Sequence, residues 1–395
     1  MNFLDKIEIK GKKLLVRVDY NVPLKDGVIQ DDHRIRASLD TLNYALDQGA
    51  ALIICSHLGR PTDKREPEFS LKPAAVRLSE LLGREVKMAS DCIGSEVRAT
   101  VQALAPGQVL MLENLRYHAG EKANDPEFSK QLAALADVYV NDAFAVAHRA
   151  HASVVGVTEF APASCGGFLL KKEWAFLGQS LADPEWPYVA ISGGAKISTK
   201  MDILNALLDK ADEIIIGGAM ANTFILAIGN SVGRSLVEKQ RVSDAAALLE
   251  KASQKGVKIH LPTDLTLGQG IDSPASSGVC RFDAIPEDSM ALDIGPETIA
   301  QFKTVLTHAK TVMWNGPMGA FENPAYAQGS LELARIVAGL DHALTIVGGG
   351  DTNVVIKAES LSDKFSFIST GGGSFMSFME GKELPAFKAL KEGTK

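Results

Sequence analysis

Four arginines in the first half of the chain, Arg34, Arg60, Arg116 and Arg149, lie at or beyond points where short apolar runs give way to polar residues. The polar segments are Asp19-Tyr20-Asn21, Ser56-His57-Leu58-Gly59-Arg60, Glu113-Asn114-Leu115-Arg116, and Asn141-Asp142 leading to His148-Arg149-Ala150-His151. A guanidinium grips phosphate or carboxylate through a planar fork, so arginines converging on one sheet edge would hold a small, highly anionic molecule. Any one of them could instead make a surface salt bridge; four repetitions at strand ends count against that for the set. His57 and His148, each alone in a loop, read first as structural residues.

The second half places glycines where the first places arginines. Its apolar runs are followed by Gly193-Gly194-Ala195-Lys196, Gly217-Gly218-Ala219-Met220, Asn315-Gly316-Pro317-Met318-Gly319, Gly348-Gly349-Gly350-Asp351-Thr352 and Thr370-Gly371-Gly372-Gly373. Glycine between a strand and a helix lets main-chain N–H groups and the positive helix end approach a phosphate, which makes a nucleotide the natural ligand. Asp351 could hold a magnesium phosphate, or only cap a helix. Lys196 and Lys200, four apart at an expected helix start, would share one face and reach the phosphates, or simply be solvated. Neither a Walker loop nor a dinucleotide fingerprint occurs. Anion-binding arginines beside phosphate-binding glycines favour phosphoryl transfer, a chemistry of positioning and charge neutralisation that needs no nucleophile on the enzyme.

These residues need strand ends to stand on. Val-, Ile- and Leu-rich runs at Leu14–Val18, Ala51–Cys55, Val109–Leu112 and Val138–Val140, then Tyr188–Ile191, Glu213–Ile216, Thr311–Trp314, Leu344–Val347 and Phe365–Ser369, read as strands. Helical periods fill the gaps, at Ile35–Asp47, Leu71–Leu82, Pro126–Ala136, Thr199–Lys210 and Ser243–Lys255. Strands alternating with helices predict an α/β fold of two doubly wound lobes, each a mostly parallel sheet flanked by helices. The loop FAPASCGGF and the helical stretch Leu169–Leu181 mark the division and a hinge helix.

The chain has 395 residues, 46% hydrophobic and 23% charged, enough for two or three cores. A net charge of −7 argues against nucleic acid or an anionic membrane as partner. Residues 1–165 hold 9 glycines and 10 arginines, whereas the remainder holds 26 glycines and 4 arginines, so the halves are built for different ligands. Four scattered cysteines and the early charges Asp5, Lys6 and Glu8 fit a cytoplasmic protein. The uncharged stretch from Ile214 to Gly233 is too rich in glycine and polar residues to span a bilayer.

The segments VRVDYNVP (16–23), SHLGRP (56–61), LENLRYH (112–118), NDAF with AHRAH (141–151), GGAKISTK (193–200), WNGPMGAFE (314–322), GGGDT (348–352) and STGGG (369–373) resemble, in this order, the signature segments of the phosphoglycerate kinases. The resemblance implies reversible transfer of the acyl phosphate of 1,3-bisphosphoglycerate to Mg-ADP, giving 3-phosphoglycerate and Mg-ATP, directly and in line, in a monomer. It implies that Asp19, Tyr20, Asn21, Arg34, His57, Leu58, Gly59, Arg60, Arg116 and Arg149 line the phosphoglycerate site. Lys196, Lys200, Asn315, Glu322, Gly349, Gly350, Asp351 and Thr352 would line the nucleotide site, with Glu322 at the ribose and Asp351 at Mg2+. Arg34 and Lys200, with Lys196, would serve catalysis, neutralising the moving phosphoryl group on closure of the lobes. The resemblance assigns residues 1–168 with 381–395 to the phosphoglycerate domain and 169–380, hinge helix included, to the nucleotide domain.

Three positions depart from the family pattern. Ala219 replaces a glycine and would fit a positive φ poorly. Ala145-Val146 stands where Gly-Thr is usual, and Ser377 where Glu is common. Against the kinase reading stand a nucleotide-dependent dehydrogenase, disfavoured by the missing fingerprint, and a catalytically silent binding protein, disfavoured by the full set of reacting residues.

Overall fold

The computed structural model describes residues 1–62 and 65–393. Two compact units emerge, Met1–Gly178 with Glu383–Lys395, and Gln179–Lys382. Of the tail assigned to the first lobe, Thr394 and Lys395 lie outside the described residues.

The first unit is built on six strands, β1 (Lys13–Val18), β2 (Ala51–Cys55), β3 (Val86–Met88), β4 (Val109–Met111), β5 (Val138–Asp142) and β6 (Ser164–Gly166). They pair in parallel in the order β3-β4-β2-β1-β5-β6. Strands β2, β4 and β5 are buried throughout, which is why they read as unbroken apolar runs. In the central register Arg17 of β1 lies between Cys55 of β2 and Asn141 of β5, so the loops that follow these three strands leave the sheet side by side.

The expected helix over Ile35–Asp47 is two, His33–Arg36 and Leu39–Asp47. The break falls at Ser38, whose hydroxyl bonds back to the Ile35 carbonyl at 2.8 Å and meets the Tyr20 hydroxyl at 2.8 Å. Residues 169–178, placed with the second lobe on sequence grounds, pack in the first unit. The buried Asp142 carboxylate at the end of β5 accepts from the Leu169 and Leu170 amides at 2.9 and 3.2 Å, fixing the helix Phe168–Glu173 there. The terminal helix Pro385–Glu392 belongs to the same unit: Phe387 packs on Phe144 and Trp174, with ring centroids 6.2 and 4.9 Å away.

The second unit continues with β7 (Tyr188–Ser192), β8 (Glu213–Ile216), β9 (Lys258–His260), β10 (Asp264–Gly268), β11 (Gly278–Arg281), β12 (Met290–Ile294), β13 (Thr311–Asn315), β14 (Leu344–Gly348) and β15 (Phe367–Ile368). Its parallel sheet runs β9-β8-β7-β13-β14-β15, and β11-β10-β12 form a separate antiparallel sheet. The antiparallel sheet was not expected from the sequence. Its exposed β11 and the polar residues within β10 and β12 leave no continuous apolar run, and its core is a small cluster around Ile225, Leu265, Leu267 and Ala291.

Candidate functional site

In the first unit the loops after β1, β2 and β4 knit one polar cluster. Asp19, just beyond β1, pairs with Arg34 through Oδ2 and accepts the Asn21 amide through Oδ1 at 3.2 Å. Asn21 Oδ1 in turn accepts the Gly59 amide at 2.9 Å, and the Gly59 carbonyl accepts from the Arg116 guanidinium at 2.5 Å. Gly59 has φ +61°, and a Cβ there would lie 2.2 Å from the Phe69 ring, so only glycine fits. Asn114 holds the Leu58 segment by both ends of its amide, at 3.2 and 2.7 Å.

The cluster is strongly cationic. His57 is 2% exposed and is held well below its ordinary pKa by burial, then by the guanidinium groups of Arg17, Arg116, Arg149 and Arg34. Burial and then Arg149, Arg17 and Arg116 push His151 down to about 4; burial and Arg149 lower His148 as well. Even Arg116 is drawn down to about 10, by burial first and then by Arg149 and Arg17. Its Nε is buried without a protein partner among the described residues. Burial is the first cause of each histidine shift and the guanidinium charges add to it, so the cluster is densely cationic, and an anion with several charged oxygens would relieve that crowding.

Not every expected residue presents its side chain here. Tyr20 is fully buried and bonded to Ser38, with burial raising its pKa, and Leu58 is 4% exposed within the apolar core. Both contribute backbone only. Arg60 is exposed and makes no polar contact with the cluster among the described residues. Elsewhere in the unit, ligand atoms of Asp91, Cys92 and His118 lie within 4.8 Å of one another. They are already satisfied: Asp91 pairs with His118 at 2.6 Å and with Arg65, while the Cys92 thiol, raised by burial, donates to the Glu113 carbonyl at 2.8 Å.

In the second unit the glycine loops surround a cavity of about 350 Å³, lined by Gly194, Gly218, Leu236, Phe321, Glu322 and Asp351 among others. Several of these glycines serve loop packing before any ligand. A Cβ on Gly218 would fall 2.5 Å from the backbone of Gly194, and one on Gly316 2.3 Å from the Gly193 carbonyl oxygen. Gly350, in contrast, has open space around it and opens the helix Gly350–Ala358, and the first amides of a helix have no intrahelical partner. Gly218 takes the positive φ of its loop, whereas Ala219 has φ −63° and fits without strain.

Lys196 and Lys200 do not share a helix face. Residues Ile197–Thr199 form a 3-10 turn and the helix starts only at Met201, leaving Lys196 exposed and Lys200 half-buried. Lys200 Nζ donates to Asn315 Oδ1 and lies 3.7 Å from Met376 Sδ. Burial lowers its ammonium to about 8, against the pull of Asp351. Asn315 spans two loops, donating to the Gly348 carbonyl at 2.6 Å, and the buried Thr352 hydroxyl accepts the Gly316 amide at 2.8 Å. Glu322 and Asp351 are exposed at the cavity.

Among the buried charges that escaped the sequence reading are Arg17, Glu121 and Asp293. Arg17 interrupts an otherwise apolar strand, a readable sign of a buried polar role. Asp293 lines the nucleotide-sized cavity, accepts the Ile294 and Gly329 amides at 2.9 and 2.7 Å, and is raised to about 7 by burial.

Comparison with known proteins matches residues 4–382 to the family model described as phosphoglycerate kinase. A phosphoglycerate kinase of Maridesulfovibrio salexigens is 57% identical over 398 residues, covering 100% of both chains. One from a Geobacter species is 51% identical over 99% of this chain and 98% of its own. Among solved structures, the Coxiella burnetii phosphoglycerate kinase superposes with a TM-score of 0.92 at 41% identity, covering 100% of this chain and 99% of that one. The Pyrococcus horikoshii enzyme gives 0.86 at 31% identity with the same coverage.

Proposed function

The chain belongs to the phosphoglycerate kinase family, and on that premise we propose how its own residues carry out the reaction the name denotes, the reversible transfer of the acyl phosphate of 1,3-bisphosphoglycerate to ADP in glycolysis. The phosphoglycerate binds at the arginine cluster of the first unit, held by Arg34, Arg116 and Arg149, with Asn21 and His57 as neutral hydrogen-bond partners and Arg60 joining from its exposed position. The observation that carries this reading is the convergence of the Arg17, Arg116, Arg149 and Arg34 guanidinium groups on His57, whose charges add to burial in holding the imidazole below its ordinary pKa. A field of that sign selects a polyanion over a neutral or cationic ligand.

The nucleotide occupies the second unit's cavity, with Glu322 at the ribose, the amides around Gly349, Gly350 and Thr352 at the phosphates, and Lys196 and Lys200 supplying charge. The donor set fits a magnesium-bound nucleotide: one exposed carboxylate, Asp351, at the cavity and phosphate oxygens from the ligand are what that ion takes in such sites. Bound Mg2+ would neutralise phosphate charge. Arg34 from one unit and Lys200 from the other then stabilise the phosphoryl group as it passes directly between carboxylate and nucleotide oxygens. Closure of the two units excludes water, which would otherwise hydrolyse the acyl phosphate.

We further infer a cytoplasmic monomer with no nucleic-acid or membrane partner. Among the described residues no helix is long and apolar enough to cross a membrane, and all four cysteines are free. The test is ATP formation from ADP and 1,3-bisphosphoglycerate by purified protein; turnover should require magnesium, and its absence in magnesium would refute the reading. Arg34→Ala should lower kcat by at least about a hundredfold with a smaller change in KM. Near-normal kcat with only a raised KM would show that Arg34 merely binds.

A further inference from the structure

His57 sits at the floor of the arginine cluster, and its chemistry there depends on which ring nitrogen carries the proton. Its Nδ1 lies 3.2 Å from the Arg17 guanidinium and 3.7 Å from Asp19 Oδ1. The carboxylate is beyond hydrogen-bond reach and is already engaged by Arg34 and the Asn21 amide. The guanidinium is within reach, and a guanidinium can only donate. Nδ1 must therefore accept, which leaves the proton on Nε2, an atom with no partner among the described residues.

Arg17 can impose this choice because it cannot move. It is fully buried in β1, donates Nε to the Ser153 hydroxyl at 2.8 Å, and donates NH1 to the Val18 carbonyl. Ser153 passes the interaction on: its hydroxyl and amide bond the two carboxylate oxygens of the fully buried Glu121 at 2.7 and 2.9 Å. Glu121 thus compensates the buried guanidinium through one hydroxyl, and all three donor groups of Arg17 are spoken for.

We infer that Arg17 is a positioning residue for the kinase reaction, held by Ser153 and Glu121, that locks neutral His57 with its proton on Nε2 so that the ring offers a donor to the anionic substrate. The alternative tautomer would turn a lone pair toward an anionic oxygen and repel it. The charged groups facing His57 are Arg17, Arg34, Arg116, Arg149 and Asp19, and the four cations oppose its protonation, so the donor persists across neutral and mildly acidic pH. The inference deepens the reading of the arginine cluster as the phosphoglycerate site and rests on it.

The test reads the ring directly. In the full-length wild-type protein labelled with 15N-histidine, long-range proton–nitrogen correlation should show His57 with Nδ1 bare and Nε2 protonated from pH 8 down to pH 5.5, the signal being assigned by its loss in His57→Gln. A proton on Nδ1, or a cationic ring near neutrality, overturns the inference without any Arg17 variant. Arg17→Met removes the donor at similar length. It should yield mixed tautomers and raise KM for 3-phosphoglycerate about tenfold, the worth of one hydrogen bond to a charged group, with kcat changed less; Arg17→Lys should restore part of the Nε2–H population. If Arg17→Met folds and keeps a pure Nε2–H ring, Arg17 does not set it. Failure of the site reading looks different: the wild-type tautomer stays as stated, while titrated 3-phosphoglycerate leaves the Nε2–H signal unmoved.

Discussion

Lys200 holds its charge at a cost to the uncomplexed protein, and replacing it should expose that cost. Burial lowers its ammonium from 10.5 to about 8, a drop corresponding to about 3 kcal/mol of destabilisation of the charged folded form. The side chain is still partly solvated, which brings the figure nearer to 2 kcal/mol. Lys200→Met removes this penalty but strands the buried Asn315 Oδ1 that Lys200 now bonds, costing about 1 kcal/mol. At pH 7, without nucleotide, the variant should therefore be more stable than wild type by roughly 1 kcal/mol. The sign with pH follows from the depressed value. The unfolded chain keeps the proton to 10.5 and the folded one loses it near 8, so wild-type stability rises with pH between those values and the variant's does not. Urea unfolding at pH 7 and pH 9.5 should show the variant's advantage shrink by about 1–2 kcal/mol and vanish or reverse. Its kcat should fall by on the order of a thousandfold, because the charge is needed in the transition state. A difference that is unchanged between the two pH values would refute the burial argument, whatever happens to activity.

Two glycines of the second unit's loops, Gly218 and Gly350, should respond in opposite ways. Gly218→Ala places a Cβ 2.5 Å from the Gly194 backbone at φ +67°, so it should cost at least about 2 kcal/mol in thermal or urea unfolding and raise KM for ADP. Gly350→Ala meets nothing within 4 Å and should fold as well as wild type, any loss appearing only in nucleotide affinity. In the first unit, burial raises Asp142 to about 7, so the folded protein holds a proton there that the unfolded chain has released. Its contribution to stability is present below pH 4 to 5 and is lost as pH rises to 7, and Asp142→Asn should flatten that part of the stability profile.

The arginine site was legible because parallel strands buried on both faces announce themselves as apolar runs, and their ends are where ligands sit. Asp19, Asn21, Arg34 and Arg116 are joined through Gly59 in one hydrogen-bonded network, and His57 lies in the field of Arg34 and Arg116. Arg17 was not legible in its role, although its presence in an apolar strand was visible. What it does depends on Ser153 and Glu121, more than a hundred residues away along the chain, and no spacing rule links them. The boundary placed after residue 168 cuts the helix Phe168–Glu173, which lies wholly in the first unit, for the same reason, since the decisive partner is a side chain from β5. The glycine loops were located correctly but read too narrowly. Gly193, Gly218 and Gly316 are small because loops from neighbouring strands touch one another, and only positions such as Gly350 are left open toward a ligand.

That distinction sharpens what the uneven spread of arginine and glycine means. In the first unit, burial first and the guanidinium charges after it hold His57 and His151 below their ordinary pKa, so the positive charge there stays with groups that cannot titrate away near neutrality. In the second unit, loop packing sets the glycine loops, Glu322 and Asp351 around a cavity, and burial brings the half-buried Lys200, which feels the pull of Asp351, within reach of physiological pH. A nucleotide phosphate at that cavity would favour the charged lysine and raise its pKa again, so ligand binding itself completes the charge the transfer needs. The acidic limb of the rate profile should therefore owe nothing to His57, and the basic limb should move upward when nucleotide is saturating, because kcat/KM reads the free enzyme and kcat the complex.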